Sequence, residues 1–373
     1  MSEAASAEWR VSLSTLPASR QERRRALCVV LISLLGFALA APFAKVKLPT
    51  VMAFVPSYES ALAINDLITA ILLFGQFSIL RWRAILLLAC GYLFTALMAI
   101  PHALSFPGLL AETGVLGGAQ TTAWLYMLWH GGFPLAVIGY ARLSRGDRER
   151  QAPADSPHAA ILAGVIAVVA IVGSLALLAA NSDALPAIMS GNSYTPAMIG
   201  VVSTVWALSL LALAVLWLAT PHSVLNLWLM VTMCAWIFDV ALSAVVNGGR
   251  FDLGFYAGRI YGLMAASFVL LVLLLETGAL YARLARSLEA ERREREERIK
   301  QMQSELIHVS RVNEMGLMVW TLAHDPWRQS PTISARARCW RSAGMPRSCG
   351  RRWSAQANRP RARDRSSSAY APS

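Results

Sequence analysis

The sequence predicts an all-α fold: a polytopic bundle of about eight transmembrane helices, then a long cytoplasmic coiled-coil helix, then a disordered tail. Three observations carry this. The 373-residue chain is 56% hydrophobic with a mean hydropathy of +0.47, too apolar for a soluble domain of this size. Its apolar residues fall into about eight runs of the length a bilayer core demands, about 20 residues each. Past Tyr281 the chain turns abruptly to Glu and Arg with no Pro as far as Asp325.

Residues 1–25 are polar and end in Arg23, Arg24 and Arg25. The run that follows is long enough to span, so it reads as a retained first helix and not as the apolar stretch of a cleaved signal. The runs of the membrane body, residues 26–281, start near Ala26, Ala61, Ala84, Ala119, Ala159, Ala197, Val224 and Leu253. Arginine placement orients them. Arg20 and Arg23–Arg25, then Arg81 and Arg83, then Arg142, Arg145, Arg148 and Arg150, and finally Arg283 and Arg286 mark one side. The opposite connections hold only Lys45, Lys47 and Arg250, with Arg259 just inside the last run. The positive-inside bias puts both termini in the cytoplasm of a bacterial inner membrane, and an even number of spans agrees.

Polar residues inside these runs are the candidate ligand-sensing positions. They are Asp66, Gln76 and His130, with Asp239 and Glu276 beside them; Asp66 and Glu276 read as lying near the ends of their runs. No inverted repeat and no matched pair of broken helices is visible, which weighs against a transporter. Cys28, Cys90, Cys234, Cys339 and Cys349 have neither ligand spacing nor a paired framework, so no metal and no disulfide is expected. The stretches LPTVMAFVPSYESALAINDLITAILLFGQF, GYLFTALMAIPHALSFPG and TTAWLYMLWHGGFP resemble the fourth type of the bacterial MASE family, membrane-associated sensor domains that precede signalling enzymes. The resemblance covers about residues 26–280 and rests on Pro56, Tyr58, Asp66, Gln76, Pro101, His102, Trp124 and His130.

Residues 282–325 read as one helix. Ile299, Met302, Leu306 and Val309 recur at steps of three and four, a parallel homodimeric coiled-coil seam. Val312, Met315, Val319 and Leu322 restart the stripe after a step of three, a slip that overwinds the supercoil locally. The end of this segment, ELIHVSRVNEMGLMVWTLAHD, resembles the dimerisation and phosphotransfer helix of sensor histidine kinases. The resemblance implies that His324 is the phosphoacceptor and that Asp325 helps deprotonate it. An imidazole nitrogen attacks a phosphoryl group only when neutral and oriented, and a neighbouring carboxylate holds the tautomer.

Past this box the resemblance fails. Pro326 disfavours helix at Asp325, and residues 326–373 hold no nucleotide-binding pattern, so ATP and magnesium are expected only in an intact relative, as is a response-regulator partner. Within this chain no cofactor and no nucleic-acid partner is expected; the partners are a second copy and the lipid bilayer. The tail carries eleven arginines, no lysine and one acid, hence +10 of the chain's net +12. Two readings stand. The tail is out of frame, as a GC-rich gene would give, and with chosen codons its first residues read in a shifted frame much like the kinase family's continuation. Alternatively it is a basic segment for anionic headgroups. Two functions likewise stand: a sensor histidine kinase present as sensor plus phosphoacceptor box, or a non-catalytic sensor or transporter-like bundle that dimerises through its stalk.

Overall fold

The computed structural model describes residues 17–111, 114–147, 156–181, 185–191, 193–219 and 222–324. Asp325, the tail and the first sixteen residues lie outside them. The described chain is all-helical apart from one two-stranded hairpin, and it divides into two compact units after Leu284.

The first unit contains eight helices in order. Helix α1 is Arg20–Ala40, started by a capping box between Ser19 and Glu22 and followed by a 3-10 turn, Ala41–Phe43. Helix α2 is Phe54–Leu80 and α3 is Arg83–Ser105; Arg81, in the left-handed region at φ 60°, ends α2. Helices α4 (Thr121–Asp147), α5 (Pro157–Ala180) and α6 (Pro196–Leu218) follow, with strands β1 (Met189–Ser190) and β2 (Ser193–Tyr194) paired between α5 and α6. Helix α7 is Val224–Val240, extended by a π-helical segment Ala241–Val246, and α8 starts at Leu253.

Seven of the eight are long and apolar enough to cross a membrane; α4, at 27 residues, is long enough but less apolar. Its Trp124, Tyr126, Trp129 and His130 are buried inside the bundle, where lipid makes no demand on hydropathy. It still runs the length of the unit. Near its start Gln120 donates to the Met189 carbonyl, and near its end Arg145 donates to the Leu218 carbonyl. These contacts put α4 parallel to α6, and Thr122, donating to the Ser105 carbonyl, sets it antiparallel to α3. Lipid-facing apolar side chains cover the outside, for example Leu27, Leu31, Ile32, Ile166 and Leu177.

Helix α2 begins at Phe54, seven residues before the apolar run that announces it. Its first turn holds Pro56 and Ser57, which fit a helix start, where a proline's missing N–H is no loss. Asp66 therefore sits mid-helix and buried, not near an end.

Within the second unit, helical structure continues to His324. Its charged middle carries i,i+4 pairs, Glu291–Arg295 and Glu294–Arg298, each at 2.6 Å. Ile299, Met302, Leu306 and Val309 are exposed.

Candidate functional site

Polar side chains meet at the end of the bundle where α3 stops and α4 and α8 start. Three glycines bring α8 close enough to build the site. Gly254, Gly258 and Gly262 recur at four-residue spacing on one face. A Cβ at Gly258 would overlap Ser243 Oγ and stand 2.9 Å from the Asp239 carbonyl oxygen; one at Gly262 would stand 2.8 Å from Asp239 Oδ2. Small residues at this spacing let helix backbones approach in lipid.

Asp239 of α7 is the hub. Its Oδ1 accepts from Tyr126 Oη at 3.1 Å and from Ser243 Oγ at 3.0 Å, and its Oδ2 lies 3.0 Å from His130 Nε2. His130 Nδ1 lies 2.8 Å from the Tyr126 carbonyl oxygen, which only accepts, so Nδ1 carries a hydrogen. The contact between Nε2 and Oδ2 then needs a second proton, and the His130–Asp239 pair holds it between them. Trp236 Nε1 donates to the His130 carbonyl at 3.1 Å and fixes the turn of α4 that presents the imidazole.

Arg259, the residue after Gly258, donates from Nη1 to Ser243 Oγ at 3.3 Å and to the Phe255 carbonyl at 3.2 Å. Its guanidinium stacks 3.6 Å from the Phe255 ring centre and is also within 5.3 Å of Tyr126 and 5.9 Å of Tyr58. A second pair stands alongside: Glu59 Oε1 is 2.6 Å from His102 Nδ1 and accepts from Tyr58 Oη at 3.2 Å. Outside the spans, Tyr194 Oη donates to the Ser243 carbonyl at 2.9 Å and accepts from Asn247 at 3.0 Å. Burial pushes that phenol above its ordinary range, against the Asn247 hydrogen bond. A cavity of about 40 Å³ opens among these groups, with Arg250 on its wall.

Of the three sensing candidates, this site contains only His130. Asp66 is about 10 Å along α2 from Glu59 by helix rise, and it accepts from Thr95 Oγ1 at 2.5 Å. Gln76 lies still further along α2 and donates to Glu276 at 3.2 Å. The structure thus sets the candidates at three levels and does not bring them together. Glu59, Tyr126, Ser243 and Arg259 belong to the site without having been singled out as sensing positions. Their signals were present: an acid just before one apolar run, an arginine just inside another, and the repeat of glycines around Arg259. His324 ends its helix in the second unit, and Asp325 lies outside the described residues. Among the described residues no group of three or more His, Cys, Asp or Glu is placed to hold a metal ion.

A larger cavity of about 710 Å³, among α3, α4, α5 and α6, is lined almost wholly by apolar residues such as Leu87, Phe94, Leu128 and Val205 and offers no charged group. The chemistry lies in the small polar pocket.

These features define a multi-pass helical membrane protein with a charged pocket buried at one end. Residues 49–281 match the model of the MASE4 family, described as a membrane-associated sensor, integral membrane domain, and the chain belongs to that family. No curated protein and no solved structure matches it.

Proposed function

We propose that this chain is the sensing part of a bacterial two-component histidine kinase. It lies in the inner membrane with both termini in the cytoplasm. The polar pocket faces outward, because it adjoins the connections that hold Lys45, Lys47 and Arg250, the side poor in arginine. One observation carries the reading: Arg259, in the pocket, and the box ending at His324 lie on a single helix, Leu253–His324. A change at Arg259 therefore acts on the same covalent element that carries the proposed phosphoacceptor. The exposed stripe of Ile299, Met302, Leu306 and Val309 supports a parallel dimer of that element. In this reading His324 accepts a phosphoryl group, Asp325 helps deprotonate it, and a response regulator receives it.

The test is phosphotransfer. The chain in membranes is mixed with the ATP-binding domain of an intact histidine kinase, magnesium and labelled ATP. Weak label that disappears in His324→Gln is expected. The label is weak because a proline at 326 disfavours helix at the residue before it, next to His324, and phosphoryl transfer depends on positioning. Absence of label, or label that survives His324→Gln, would overturn the kinase reading in favour of a non-catalytic membrane sensor.

A further inference from the structure

The cavity of about 40 Å³ has two arginines on its wall and no carboxylate lining it. Its wall includes His102, Tyr126, Tyr194, Met198, Arg250 and Arg259, and no Asp or Glu is among its lining residues. Arg259 is 7% exposed, its Nε is buried without a hydrogen-bond partner, and Nη1 reaches only neutral acceptors. Among the described residues neither Arg250 nor Arg259 is in an ion pair. The nearby carboxylates face other groups, although Glu59 Oε2 itself has no hydrogen-bond partner. Asp239 accepts from Tyr126 and Ser243 and faces His130, Glu59 Oε1 faces His102, and Asp252 accepts from the Gly248 and Phe255 N–H groups.

An unpaired buried guanidinium is costly, and a second one beside it adds repulsion. Burial holds Arg250 below its ordinary value, and the Arg259 charge adds to the effect. The tyrosine hydroxyls on the wall already donate to Asp239 and to the Ser243 carbonyl, so the free donors are those of the two arginines. A water-sized group needs about 10–15 Å³ of such space, so the cavity takes about three. That is the size of one planar oxyanion, the shape a guanidinium fork matches with two parallel hydrogen bonds.

We infer that this pocket binds a small planar oxyanion, such as a carboxylate or nitrate, between Arg250 and Arg259. Calling that anion the sensed signal rests on the proposed function; the binding itself does not.

The full chain in lipid nanodiscs is titrated with sodium nitrate, sodium formate and sodium hexanoate, against sodium chloride at equal ionic strength. Tryptophan emission reports, since Trp129 and Trp236 flank His130. A saturable response to nitrate and formate is expected, with no saturable response to chloride. Arg250→Gln, in a connection and half-buried, should weaken it about tenfold, and Arg259→Lys, which keeps the charge but loses the fork, by as much. Saturation by hexanoate as well would identify the carboxylate head of a larger molecule as the source, and its absence a free anion; both support the arginine site. A response no different from that to chloride, or one unchanged in Arg250→Gln, would overturn it. Binding without label at His324 leaves this inference standing while the kinase reading falls, and label without binding does the reverse.

Discussion

Asp239 joins α4 to α7 and backs onto α8, so its removal is the sharpest perturbation of the site. Asp239→Ala deletes the acceptor for Tyr126, Ser243 and His130, all three of them buried. The two neutral hydrogen bonds are worth about 1 kcal/mol each, and the one to the imidazole about 1.5–3 kcal/mol. Breaking a buried charged pair from one side costs about 3–5 kcal/mol in all, because the partner is left uncompensated, and the three losses share that figure without adding fully. Asp239→Asn is the discriminating control. Its amide oxygen still accepts from Tyr126 and Ser243. Its NH₂ donates to Nε2 of a neutral imidazole whose Nδ1–H keeps the Tyr126 carbonyl. All donors stay satisfied, so the loss should be under about 1.5 kcal/mol. The assay is unfolding of the purified chain by SDS in detergent micelles, followed by tryptophan emission. An Ala variant as stable as the parent, or an Asn variant as damaged as the Ala variant, would refute the proton assignment and the hub.

Three other outcomes follow from the same geometry. Gly258→Ala drives a methyl into Ser243 and the Asp239 carbonyl and should cost about 1–3 kcal/mol in the same assay, whereas Gly278→Ala, in open space on the same helix, should be neutral or stabilising by up to about 1 kcal/mol. Reporter fusions after Arg83, Arg145 and Arg286 should read cytoplasmic and those near Ser105 and Asn192 external; an external signal at Arg286 is incompatible with eight crossings. A cysteine replacing Met302 should crosslink to a second copy in membranes more efficiently than one replacing Gln303, and equal efficiency would argue for a stalk that does not dimerise.

The helices were legible because a bilayer fixes their length, so runs of about 20 apolar residues announce themselves without knowledge of the packing. Even α4, diluted by Trp, Tyr and His, was visible as a run. The site was legible only in part. Hydropathy marks a polar residue as buried but does not say which helix faces it, and His130 meets Asp239 across 109 residues of chain. Asp66, Gln76 and His130 therefore looked equivalent, although each sits at a different depth with different partners and Gln76 Oε1 has none. Arg259 looked like a topological charge on the outer side, where one turn of helix separates a solvated arginine from a buried one. The glycines at 254, 258 and 262 decide that question, since they place α8 against Asp239 and leave the Arg259 side chain inside.

The region matched to the family begins at residue 49 and leaves α1 outside it, yet α1 is not a loose addition. Before it, Pro17 bridges to Ser223 and the Ala18 N–H donates to the His222 carbonyl at 3.1 Å. After it, the Leu48 N–H donates to Phe251, and the N–H groups of Leu253 and Gly254 donate to Val46 and Ala44, at 3.1, 2.9 and 2.9 Å. This second strap holds the connection between α7 and α8. It includes Phe251, a bulky residue in the left-handed region at φ 64°, a conformation that persists only where the surroundings impose it. The Phe251 ring contributes by packing against Phe106, Phe255 and Tyr256. Arg250 precedes Phe251 directly, so the strap that fixes the strained residue also fixes where the Arg250 backbone enters the pocket wall. One wall of the pocket thus depends on a helix that lies outside the matched region.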